Sequence, residues 1–304
     1  MTGFVIFIFG SVILGAGAML SPAYPTTQPR IGMAGALALA LVMGGAVFYG
    51  TALGWNTLVV DYMLFLLVVG IFLGGTLSYG QKRAEARGEE LLDEDQGWPG
   101  LWDLVGLLGA FGLLALVALT FPPAHSAEWA RSAQAVRDGQ GLYLDGIAPG
   151  APVLAAYLSQ QLGESPYNTL TAIGVVAATL LTWVGYDLGA ELRDKRLGRP
   201  LAGVMAAAGL GLLMLGQIGL LMAVLWLCVM GWAGLRFSRQ PNRVDWLASG
   251  LMLGAAVLAE PWTALLGVGM ALAVGLRARH PLYLPGTVGI AALATLPSLL
   301  QWVL

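Results

Sequence analysis

The chain is a succession of long apolar runs separated by short polar breaks. A helix needs about 20 apolar residues to cross a bilayer, with a tolerated range of roughly 17–25. On that measure the pattern predicts ten spans, near 3–20, 31–51, 58–79, 101–121, 166–186, 200–215, 217–235, 244–259, 261–277 and 283–303. The runs at 200–215, 244–259 and 261–277 are short, so each reads either as a thin span or as part of a re-entrant hairpin. A hinge at Leu215-Gly216-Gln217 divides what would otherwise be one improbably long run. The opening MTGFVIFIFG lacks a basic flank and a small-residue cleavage site, so 3–20 reads as a retained helix rather than a cleaved signal. The expected fold is all-α: a polytopic transmembrane helical bundle of about ten spans with its N-terminus outside.

Basic residues fix that orientation. The predicted inside loops hold Arg30, Lys82, Arg83, Arg87, Arg193, Lys195, Arg196, Arg199, Arg236, Arg239, Arg243, Arg277 and Arg279, thirteen of the fifteen Lys and Arg. Only Arg131 and Arg137 fall outside, in accord with the positive-inside rule. Trp55, Trp98, Trp102, Trp232, Trp246, Trp262 and Trp302 fall near predicted span ends, where an amphipathic ring is favoured.

Composition narrows the class further. Hydrophobic residues make up 58% of the chain and charged residues 11%, against about 25% charged in a soluble domain. Mean hydropathy is +0.76. Such a chain is not a soluble domain, a disordered segment or a basic nucleic-acid binder, and its partners are expected to include membrane lipid and no nucleic acid. The single Cys228 excludes a disulfide framework.

Two polar pieces interrupt the apolar pattern. The predicted inner loop 80–100 carries QKRAEARGEELLDEDQGWPG, whose acids from Glu89 to Asp95 suit a solvated face or a cation. The predicted outer segment 122–165 begins at Pro122-Pro123 and continues with a short helix from Ser126 to Arg137, Ser126 being a candidate N-cap. The loop GLYLDGIAPG and the apolar helix PVLAAYLSQQLG follow; that helix is too short to span and suits the interface. Gly70-Ile-Phe-Leu-Gly74 and Gly250-Leu-Met-Leu-Gly254 are spacings that let helices approach closely.

Nucleotide cradles, zinc spacings and nucleophile elbows are absent from the sequence. Asp61, Asp103, Asp187, Asp245 and Glu260 lie close to predicted span ends, where carboxylates are readily hydrated. No acid lies near mid-membrane to mark an ion path. His280 sits among inner arginines and His125 at the start of the outer helix. The remaining chemistry lies in the outer acids Glu128, Asp138, Asp145, Glu164 and Glu260. A carboxylate held at that face can deprotonate an acceptor hydroxyl, or hold a divalent metal ion that neutralises a phosphate leaving group. On spacing alone, simple solvation of these five acids is the favoured reading.

From Leu101 onward the order of features resembles the GT-C class of polytopic glycosyltransferases, which includes protein O-mannosyltransferases and aminoarabinose transferases. Four pieces carry the resemblance. A span leads into the outer helix SAEWARSAQAVRDG. A loop of the type Tyr-x-Asp-x-x-x-Pro-x-x-Pro follows, here Tyr143 to Pro152 with Asp145. A span after LGES runs into the basic turn GYDLGAELRDKRLGRPLAGVMAAA, and GLMLGAAVLAEPWTALL is similar to a mid-chain helix hairpin of the class.

The resemblance implies a GT-C-like membrane domain over 101–304, preceded by a three-helix membrane segment over 1–100 that carries the charged cytoplasmic loop. It also implies transfer of a sugar from a polyprenyl-phosphate donor to an acceptor at the outer membrane face, in a bacterial plasma (inner) membrane. Glu128, Asp138 and Asp145 would be the catalytic acids, one of them a base or metal anchor, with Arg131, Arg137 and Tyr143 on the substrate.

The chain departs from the class in its acidic motif. With Trp129 at the expected aromatic, His125 and Ser126 occupy the acid positions, and Glu128 is out of register. Ala148 and Gly150 stand where an acid or Lys is expected near the prolines. The chain stops at Leu304, before the later spans and outer domain of many members. A second expectation is therefore a non-catalytic GT-C-like scaffold subunit of a larger membrane complex, docking protein partners through the 1–100 helices. A third, a small lipid or sugar transporter, lacks an intramembrane charge.

Overall fold

The computed structural model of the chain describes residues 2–20, 31–55, 58, 61–63, 65–66, 69, 100–123, 127–139, 148–192 and 195–303. Among these the fold is helical, without a strand. The helices are α1 (Thr2–Leu20), α2 (Ile31–Leu53), α3 (Leu101–Thr120), α4 (Ala127–Arg137), α5 (Gly150–Leu162), α6 (Pro166–Leu192), α7 (Lys195–Met214), α8 (Ile218–Arg239), α9 (Arg243–Ala259), α10 (Thr263–Ala278) and α11 (Tyr283–Val303).

Among the described residues, five helical stretches are long and apolar enough to cross a membrane: Ile31–Leu53, Leu101–Thr120, Pro166–Leu192, Leu197–Met214 and Ile218–Arg239. This is the composition and length of an integral membrane protein. The apolar stretches Thr2–Ala18, Thr263–Ala278 and Tyr283–Leu296 are shorter, and α9 has 17 residues. The predicted run 58–79 and the Gly70–Gly74 spacing lie largely or wholly outside the described residues.

Punctuation at helix ends follows backbone chemistry. Gly216 has φ +69°, its N–H donates to Leu213 O and the Gln217 N–H donates to Leu212 O. That pair of bonds is a Schellman cap, which glycine closes without Cβ strain, so the expected hinge is present between α7 and α8. The short helix α5 also ends at a glycine in the left-handed region, Gly163, with φ +65° and the Glu164 N–H on Ser159 O.

The central element is α6, buried along its apolar length and packed against α1, α2, α3, α7 and α8. Close contact with its neighbours depends on missing side chains. A Cβ on Gly32 of α2 would lie 2.6 Å from the backbone of Trp183 and Val184, and one on Gly189 would lie 2.7 Å from Gly198 Cα of α7. The Gly250 and Gly254 spacing serves the same purpose between α9 and α11: their added Cβ atoms would sit 2.5 Å from Ile290 Cβ and 3.3 Å from Ala294 Cβ.

Helices α6 to α11 alternate in direction, so the bundle has two chemically distinct ends. One end gathers the starts of α2, α3, α7, α9 and α11 with the ends of α6, α8 and α10. The Met33 N–H donates to Asp187 Oδ2 (3.2 Å), Arg239 approaches Glu191 (3.8 Å), and Phe237, Trp246, His280 and Tyr283 form a ring cluster. Arg199, Arg236, Arg239, Arg243, Arg277 and Arg279 all lie at this end. The opposite end carries α4 and α5 with Arg131 and Arg137.

Two expectations about the ends need correction. Trp102 and Trp262 are exposed, as ring anchors at a boundary should be, but Trp232 is fully buried, with the Arg236 guanidinium 5.0 Å from its ring. Asp103, Asp187 and Asp245 are not hydrated carboxylates either. Asp187 and Asp245 are 3% and 0% exposed, and the Asp103 side chain 7%. Each is held instead by donors from another helix or turn, because a buried carboxylate without partners is costly.

Candidate functional site

The outer segment is fastened to the bundle by its own polar groups. Tyr167 Oη donates to Pro123 O (2.8 Å), holding the chain entering α4 against the start of α6. Helix α4 is amphipathic: Ser132, Ala133 and Val136 are buried, whereas Glu128, Arg131 and Asp138 are exposed. Thr169 Oγ1 donates to Ala155 O (3.1 Å), joining α6 to α5. Tyr157 of α5 lies near Asp61; burial first, and that carboxylate second, push its hydroxyl up to about 12, so it is a neutral donor.

Among the residues expected to carry chemistry, Asp138, Arg137 and Glu164 have structural bonds here. Gln134 Nε2 donates to both oxygens of Asp138, at 2.9 and 3.0 Å. Arg137 Nη1 donates to Glu164 O at 3.5 Å, and Asn168 Nδ2 donates to Glu164 Oε2 at 2.9 Å. Glu128 and Asp138 are ten residues apart on one helical axis, about 15 Å at 1.5 Å per residue, so they do not converge on one reacting atom. Asp145, Tyr143, His125 and the candidate cap Ser126 lie outside the described residues. No group of three or more His, Cys, Asp or Glu able to hold a metal ion occurs among the described residues.

One acid at the α4 and α5 end of the bundle is set apart by its surroundings. Glu260 sits in the turn between α9 and α10, where Thr263 Oγ1 donates to its carbonyl oxygen. A Cβ on Gly219, at the start of α8, would lie 2.6 Å from Trp129 Cη2 and 3.4 Å from Glu260 Oε2. The indole of α4 and this carboxyl thus meet over the first turn of α8, and burial raises the Glu260 carboxyl above its ordinary range. A folded-state value above the unfolded one means the folded chain binds the proton more tightly. The associated stability is present below the ordinary carboxylate range and is lost as pH rises through the raised value. E260Q is therefore expected to flatten that part of the profile and to unfold at a higher temperature than the parent at neutral pH, in melts recorded from pH 4 to 8.

A second constellation, which the sequence alone did not single out, lies at the arginine-bearing end. Arg199 Nε of α7 donates to Asp103 Oδ1 of α3 at 2.7 Å, and Tyr186 Oη of α6 donates to Asp103 Oδ2 at 2.9 Å. These three side chains close one end of a groove of about 540 Å³. Its walls continue along α3 and α7 through Gly106, Leu107, Ala110, Ala202, Gly203 and Ala206. A smaller apolar cleft of about 190 Å³ separates α2 from α9. Neither cavity is lined by an outer-segment residue.

No protein-family model, curated protein or solved structure matches the chain.

The signal for the groove was present in the sequence as register. Asp103, Gly106, Leu107 and Ala110 repeat the helical spacing of Arg199, Ala202, Gly203 and Ala206, so each set lies on one helix face. What the sequence does not contain is the pairing of those two faces.

Proposed function

We propose that the chain is a non-catalytic, GT-C-like helical scaffold, a subunit of a larger assembly in a bacterial plasma membrane. The observation supporting this reading is that Asp138, Arg137 and Glu164 are engaged in bonds within the segment and with the start of α6. Asp138 is taken by Gln134, Arg137 by the Glu164 carbonyl and Glu164 by Asn168. A group fixed in a structural bond and placed away from a cavity is poorly disposed to receive a sugar or a phosphate. Detergent release from native membranes under mild conditions, followed by mass analysis, tests the proposal. Recovery with a partner polypeptide at fixed stoichiometry is expected; recovery of the chain alone would overturn it.

One observation favours a second reading, a glycosyltransferase that takes sugar from a polyprenyl-phosphate donor. The Glu260 carboxyl lies near Trp129, and burial raises it above its ordinary range, a shift in the direction a general acid needs. Under this reading E260Q, E128Q, D138N and D145N separate the roles: at least one should reduce sugar transfer by about 100-fold or more, the scale of general acid–base catalysis. Unchanged turnover in all four variants would remove it.

A further inference from the structure

We infer that the groove between α3 and α7 is a binding site for an anionic glycerophospholipid, with its phosphate at Arg199 and an acyl chain along the glycine-lined walls. The inference is independent of the scaffold and transferase readings, both of which concern the opposite end of the bundle.

The groove is amphipathic along its length. Trp102, Asp103, Tyr186 and Arg199 lie at one end, and Gly106, Leu107, Ala110, Ala202, Gly203 and Ala206 form the remainder. From residue 103 to 110 a helix rises about 10 Å, enough for the first half of an acyl chain. The Thr182 hydroxyl on the wall donates to Ala178 O (2.9 Å), so it presents no unpaired donor to that chain. A volume of about 540 Å³ falls within the roughly 300–1,000 Å³ usual for small-molecule sites.

Access and charge select a lipid. Both α3 and α7 are largely exposed along their apolar faces, so the groove opens sideways on the surface that hydrocarbon covers, and a chain can enter without leaving the bilayer. At the polar end Asp103 engages Arg199 through Nε, while the Arg199 side chain remains 67% exposed. A guanidinium held by one carboxylate through Nε can still offer Nη donors to a phosphate. In sequence the run from 193 to 199 holds four basic residues against the single acid Asp194, and a net positive run at a membrane surface favours an anionic headgroup over a zwitterionic one. Exposed Trp102 supplies the ring that suits the headgroup level.

The backbone also permits a clean test. An added Cβ on Gly106 or on Gly203 meets no atom within 4 Å, so a side chain there starts from open space on the groove wall. The full-length protein would be placed in detergent with equal amounts of phosphatidylglycerol and phosphatidylcholine of identical chains, and retained lipid counted by native mass spectrometry. The wild type is expected to retain one phosphatidylglycerol per chain, at least fivefold over phosphatidylcholine. G106L/G203L should lower retention at least tenfold with an unchanged melting temperature. R199Q should keep a bound lipid while bringing the headgroup preference close to one. If the double variant does not fold, A206L, which narrows the same wall from one position, is judged by the same loss. Wild-type retention in a folded groove-filled variant would overturn the inference. Equal retention of the two lipids by the wild type, or release from native membranes with a polypeptide in the groove in place of lipid, would do the same.

Discussion

D245A is expected to lower the stability of the bundle by about 3–5 kcal/mol, the scale for removing one member of a buried ion pair. Asp245 is fully buried in the first turn of α9, with Oδ2 accepting from Arg236 Nε of α8 at 3.3 Å. It is also held by the cap of its own helix: Asn242 Oδ1 accepts from the Asp245 N–H at 2.8 Å, and Asn242 Nδ2 donates back to the carboxylate. Removing the carboxylate leaves a guanidinium that is itself 14% exposed without its counter-charge. Arg236 also stands over the buried Trp232 ring, so the disturbance reaches the α8 core. Unfolding titrations in mixed micelles check the loss. The double variant D245A/R236M should recover part of it, because an uncompensated charge is no longer buried. A D245A protein as stable as the parent would show that this end is hydrated.

G32A should cost about 1–3 kcal/mol, as overpacking does in a well-packed core. The new methyl group would meet backbone atoms of Trp183 and Val184 at 2.6 Å, and backbone cannot rotate aside as a side-chain tip can. The start of α2 must then lift from α6, straining the Met33 N–H bond to Asp187. G44A, in the same helix, meets nothing within 4 Å and is expected to be neutral or slightly stabilising because alanine favours helix. The contrast between the two isolates close approach from propensity, and equal melting temperatures would refute it.

Features that depend on local chemistry were legible in the sequence. The outer helix expected from Ser126 to Arg137 is described as Ala127–Arg137, and PVLAAYLSQQLG forms a short helix as expected. Gly216 marks the hinge, and Gly250 and Gly254 mark a helix contact. Long-range pairing was not legible. Asp103 finds Tyr186 and Arg199 at separations of 83 and 96 residues, so its place near a span end suggested hydration where the fold supplies partners. Trp232 was misjudged for the same reason: position along a helix does not say which way the ring faces. The candidate site was less legible than the fold. Proximity in sequence grouped Glu128 with Asp138, whereas the fold brings Glu260 and Trp129, more than a hundred residues apart, to the same turn of α8 at Gly219.

The central helix has a consequence for biosynthesis. Helix α6 emerges from the ribosome before α7 and α8, two of the walls that later enclose it. Thr171, Thr179 and Thr182 each donate a hydroxyl to the carbonyl one turn back, on Tyr167, Val175 and Ala178. Those donors are therefore quenched within the segment itself, so the hydroxyls of α6 need no partner from α7 or α8 while it sits against the helices made before it.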